Sequence, residues 1–90
     1  MVLWTLEMTG DARKAFARLD PVVQRRVQTA LENLATDPRA ASNVKALVGS
    51  LGGRYRLRVG DYRVVYELID GRLVVLVIDI AHRREVYRPR

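Results

Sequence analysis

Cysteine is absent from this 90-residue chain, histidine occurs once, and lysine only twice. Without cysteine there is no disulfide scaffold, no zinc finger and no iron–sulfur site. A single histidine, His82, does not assemble a transition-metal centre either, and no carboxylate cluster for magnesium is apparent. Asp61, Glu67, Asp70 and Asp79 fall on different turns and strands, so neither a metal nor another cofactor is expected. Long apolar runs are also missing. The longest, residues 73–78, is far below the ~20 residues that span a bilayer, so no membrane association is expected. The opening residues lack a basic segment and reach Glu7 early, which argues against a signal peptide. There is no Gly-rich phosphate loop ahead of a helix and no G-x-S-x-G elbow. The expectation is one soluble domain, residues 1–90, in a reducing cytoplasmic setting.

What is present in quantity is arginine. Fourteen of the sixteen cations are Arg, against ten acids, for a net charge of +6. Guanidinium pairs with phosphate through a planar fork. Residues 1–45 carry a net +2 and residues 46–90 a net +4, so the excess lies in the second half. Such a balance favours a polyanionic partner, with RNA or DNA first. Ordinary solvated surface charge is the competing explanation.

Periodicity divides the chain in two. Residues 2–8 are apolar and short enough for one strand. Thr9 can cap a helix in which Ala12, Ala15, Phe16 and Leu19 share a face, with Asp11 in its first turn. Asp20-Pro21 reads as an N-cap followed by proline at the first helical position. Val23, Val27, Ala30, Leu31 and Leu34 then form one stripe, and Asp37-Pro38 ends the helix. Residues 37–53 read as a long connection with a short turn at 44–48.

Beyond it the period becomes two. Arg54, Arg56 and Arg58 fall on one strand face and Tyr55, Leu57 and Val59 on the other. Gly60-Asp61 signals a turn, residues 62–69 a second strand, and Asp70-Gly71 a tight hairpin. Residues 73–80, apolar on both faces, predict a central strand, with a last short strand at 85–88. The expected fold is α+β, in the order β-α-α-β-β-β, with the helical hairpin on one face of a mostly antiparallel sheet.

Three guanidinium groups are not buried cheaply, so the face of Arg54, Arg56 and Arg58 is expected in solvent. It reads either as an edge strand guarded by charge or as a phosphate-tracking surface. Arg63 on the next strand and the Arg83-Arg84 pair can reach the same face. Tyr87 offers a ring on which a base can stack, while Tyr55, Tyr62 and Tyr66 read as packing residues. His82, beside Arg83, is either a bystander or a proton acceptor. Any nuclease built from this set would rely on attack by an RNA 2′-hydroxyl, which needs no activated water.

These residues also carry a resemblance. Lys45-x-Leu47, Gly49 and Leu51 are followed by Tyr55-Arg-Leu-Arg-Val-Gly-Asp-Tyr-Arg-Val-Val-Tyr66. Asp70-Gly-x-Leu-Val-Val-Leu-Val and His82-Arg-Arg-Glu-Val-Tyr87 come next. Together they resemble the RelE toxins of the RelE/ParE toxin–antitoxin superfamily, over essentially the whole chain. The resemblance implies a metal-independent endoribonuclease, an mRNA interferase that cuts the codon in the ribosomal A site, held in check by a cognate antitoxin. By motif it implies catalytic roles for Arg56, Arg63, Arg83 and Tyr87, and RNA contacts from Arg54, Arg58, Arg84 and His82. A ParE-like gyrase inhibitor without nuclease activity, or a catalytically weak RNA-binding relative, are the alternatives. Better-known members carry lysines on the first cationic strand, where this chain has arginines. A proton acceptor is therefore expected elsewhere, at Tyr87 or His82. Some relatives also end in a C-terminal helix; here none is expected after the last strand.

Overall fold

The computed structural model describes residues 3–39, 44–46 and 53–82. Strand β1 (Thr5–Met8) leads into helices α1 (Gly10–Ala17) and α2 (Pro21–Leu34). Both caps are those the sequence predicts. Thr9 Oγ1 accepts the Ala12 N–H at 3.2 Å, and Asp20 Oδ1 accepts that of Val22 at 2.9 Å. Pro21 opens α2, where its missing N–H leaves no helical bond unmade.

Four more strands follow: β2 (Val44–Ala46), β3 (Arg54–Val59), β4 (Tyr62–Ile69) and β5 (Val74–His82). The sheet runs β1-β5-β4-β3-β2, parallel at β1–β5 and antiparallel elsewhere. The α+β architecture, the helices on one face and the central place of residues 74–80 agree with expectation. The expected last strand at 85–88 lies outside the described residues.

Three details differ. Residues 44–46 form a strand rather than a turn, so β3 is not an edge; Val44 lies opposite Leu57 and Ala46 opposite Tyr55. A three-residue strand shows little periodicity of its own, and only the exposed edge of β3 gives it a partner. The β4–β5 connection is a 3₁₀ turn over Asp70–Arg72 closed by Leu73 at φ +51°, not a two-residue hairpin. Both oxygens of Asp70 accept from Arg39 Nη2, at 2.8 and 3.0 Å, which ties this turn to the chain after α2. The first strand begins at Thr5, because the Trp4 N–H is committed to the Ala35 carbonyl at 2.9 Å.

The core lies between helices and sheet. Ala12, Val27, Leu31 and Leu34 pack against Leu57, Val64, Tyr66, Leu68, Val75, Val77 and Ile80. Tyr66 is fully buried and stacks on Tyr55, with ring centroids 5.6 Å apart. Its hydroxyl donates to the Pro38 carbonyl at 2.6 Å, so the buried phenol is satisfied. Burial pushes its ionisation well above the ordinary tyrosine range, and Tyr55 adds to the shift. Among the described residues no helix is long and apolar enough to cross a membrane.

Candidate nucleic-acid interface

The opposite face of the sheet is covered by no described helix. Its chemistry follows from strand register, since residues directly opposite one another point to the same side. Gly60, at φ +58°, opens the two-residue turn that sets the β3–β4 register, pairing Val59 with Tyr62. That turn places Arg58 opposite Arg63, and Arg63 opposite Ala81. The next row on this face runs Lys45, Arg56, Val65, Asp79 across four strands. A third runs Arg54, Glu67, Leu76, Glu7, in which Arg54 Nε lies 3.6 Å from Glu67 Oε1.

Charge is therefore sorted across the face. Lys45, Arg56, Arg58 and Arg63 occupy the corner beside the Gly60-Asp61 turn, while Glu67 and Glu7 lie in the row furthest from it. The short side chains of this corner are Val65 on β4, between Arg56 and Asp79, and Ala81 on β5, opposite Arg63. The alternation anticipated for β3 is observed: Leu57 is buried, Arg54 and Arg58 are exposed and Arg56 is half-buried. Of the expected set, the structure brings together Arg54, Arg56, Arg58 and Arg63. Arg83, Arg84 and Tyr87 lie outside the described residues.

His82 does not join this face. It stands opposite Tyr62, and their rings meet edge-on at 5.1 Å. Together with Ala15, Arg18, Leu19 and Ile80 the pair lines a cleft of about 240 Å³ on the helix side of the sheet. The reason is alternation: Ala81 takes the open side next to Arg63, so residue 82 takes the other. His82, expected among the RNA contacts, thus stands on the other side of the sheet from the strand arginines.

Two features of the site escape the sequence reading. Lys45, assigned to a loop, stands directly opposite Arg56, so a lysine does lie beside the cationic strand. Asp79 joins the row of Arg56 through a bulge, since Val65 pairs with Asp79 while Tyr66 pairs with Val77. Arg39 is a third missed residue, with a structural part. It bridges Asp70, donates from Nε to the Tyr55 hydroxyl at 3.3 Å and lies 5.8 Å from the Trp4 ring centroid. Its charge is held more firmly by those bonds, that to Asp70 first. An aromatic at 4 and an acid at 70 gave no local signal for that cluster. Among the described residues no group of three or more His, Asp or Glu side chains converges as a metal site would require.

Comparison with known proteins places this arrangement. Residues 2–87 match the family described as the ParE toxin of the type II toxin–antitoxin system parDE. The chain belongs to the RelE/ParE superfamily of type II toxins. Toxin RelG of Mycobacterium tuberculosis is 29% identical over 86 residues, covering 94% of this chain and 97% of that one. The toxin in the intact E. coli RelBE toxin–antitoxin complex is 30% identical, with a TM-score of 0.73, over 88% of this chain and 95% of that one. The archaeal RelE–RelB complex from Pyrococcus horikoshii gives a TM-score of 0.79 at 25% identity, over 91% and 97% of the two chains. Two helices on a five-stranded mixed sheet are thus the superfamily's fold.

Proposed function

We propose that this toxin is an mRNA endoribonuclease that works on the ribosome, in the cytoplasm, cutting the codon in the A site. The observation that carries the reading is the corner of Lys45, Arg56, Arg58 and Arg63 on the sheet face that no described helix covers. Cations aligned across three strands suit a phosphodiester backbone. In the mechanism, the 2′-hydroxyl attacks the adjacent phosphate and expels the 5′-oxygen, leaving a 2′,3′-cyclic phosphate and a 5′-hydroxyl. Arg56 and Arg63 neutralise the crowded phosphorane, since preorganised charge is commonly the largest catalytic contribution. Arg83 contacts the phosphate or the leaving oxygen, and Tyr87 stacks on the nucleotide. Arg54, Arg58 and Arg84 hold the flanking backbone.

A cognate antitoxin belongs to the same reading. The E. coli and P. horikoshii relatives are found in complexes with RelB proteins. An acidic segment of such a partner would complement the cationic corner. A second reading, a gyrase inhibitor, is favoured by the matched family's description as a ParE toxin. Primer extension on translated mRNA after induction, run beside a gyrase supercoiling assay, separates the two. Codon-phased cuts with unimpaired gyrase support the nuclease. Inhibited supercoiling without cuts overturns it.

A further inference from the structure

Cleavage through a 2′-hydroxyl requires a group that takes its proton. Three of the four cations of the corner are guanidinium groups, which donate hydrogen bonds and accept none, and the fourth, Lys45, lies on the far side of Arg56 from Val65. Arginine in particular does not release its proton in proteins. One acceptor lies in the row of Arg56, namely Asp79.

Its position is the product of a local irregularity. Val75 and Val77 both face the core, fully buried, so strict alternation would send residue 79 inward as well. Instead β5 carries one extra residue, Ile78, between the Tyr66–Val77 and Val65–Asp79 pairs. The bulge reverses the parity, so that Ile80 is buried and Asp79 comes out on the open face. Thr9 secures the bulge. Its N–H donates to the Val77 carbonyl at 3.0 Å and its hydroxyl to the Ile78 carbonyl at 3.2 Å. The same hydroxyl oxygen caps α1.

We propose, resting on the nuclease reading above, that Asp79 is the catalytic residue that accepts the 2′-hydroxyl proton. Arg56 and Asp79 stand on either side of Val65, two strand spacings or roughly 10 Å apart, which leaves room for one phosphate over the short valine. A phosphate held there by Arg56 and Arg63 presents its 2′-oxygen side to β5. The carboxylate removes the proton, the O2′–P bond forms, and the P–O5′ bond breaks. The leaving 5′-oxygen takes a proton from water, and Asp79 returns its own to solvent. Glu67, another acid on this face, is paired with Arg54.

The test is single-turnover cleavage on ribosomes programmed with mRNA, with affinity measured separately. Asp79→Asn is expected to slow cleavage by about 100-fold or more while leaving binding within about twofold, and Asp79→Glu to recover most of the rate. Added formate is expected to accelerate Asp79→Ala, a rescue that a merely structural carboxylate would not show. Cleavage by Asp79→Asn within about threefold of wild type overturns the assignment, as does an Asp79→Ala enzyme indifferent to formate. If wild type itself fails to cut, the nuclease reading falls first and this assignment with it.

Discussion

The two faces of the sheet obey opposite rules. On the helix side the buried cluster is apolar but for Tyr66, whose one polar atom is bonded. On the other side cations stand in directly opposed pairs, Arg58 with Arg63 and Lys45 with Arg56. Like charges directly opposite destabilise a sheet. The open face thereby gathers positive charge of the kind a polyanion recognises. On the nuclease reading, stability and recognition are separated by one thickness of sheet, and substitutions on the two sides should fail in different ways.

The sharpest contrast comes from the closed side. Leu31→Ala is expected to cost about 3–4 kcal/mol in urea unfolding, because the fully buried side chain leaves a cavity. In a domain this small that is a large share of the total. On the open side, Arg56→Glu with Arg58→Glu should weaken ribosome binding by on the order of 100-fold and flatten its salt dependence. The same double variant should unfold at close to the wild-type urea concentration. Equal stability losses on the two faces would break the comparison.

Thr9→Val addresses the junction between the faces, where one hydroxyl both caps α1 and holds the β5 bulge. The expected loss is about 1–2 kcal/mol, with a fall in cleavage beyond what the stability change explains. A variant that loses stability but cleaves normally would detach the bulge from the site.

The smallest effect is at Tyr66→Phe, about 1 kcal/mol at neutral pH, from the bond to Pro38. Its pH signature is more telling. Tyr66 ionises less readily when folded, so between the unfolded value near ~10 and the raised folded value the native state holds the extra proton. Stability is then complete below about pH 10 and declines as pH rises above it. Urea melts at alkaline pH should show that decline in wild type and less of it in Tyr66→Phe.

Much of this was written in local pattern. Thr9, Asp20 and Pro21 announce the helix starts, the Val27, Leu31 and Leu34 stripe announces what α2 buries, and Gly60-Asp61 fixes the β3–β4 turn. The shared face of Arg54, Arg56 and Arg58 followed from alternation alone, and Arg63 joined it once a tight turn was assumed. Each of these depends on neighbours within a few residues, where backbone geometry and side-chain period dictate the answer.

Pairings between distant segments were decided elsewhere. That Lys45 meets Arg56 depends on a three-residue strand finding the edge of β3. The outward turn of Asp79 depends on a bulge held by Thr9, seventy positions earlier in the chain. His82 faces the helices because Ala81 is the residue opposite Arg63. A one-residue shift in register reverses the face of every side chain in a strand. Local pattern was enough to place both helices and the strands β3, β4 and β5, and to line one strand with arginine. Which groups meet across the sheet was settled only on folding, because register is set jointly by core packing, turn and bulge.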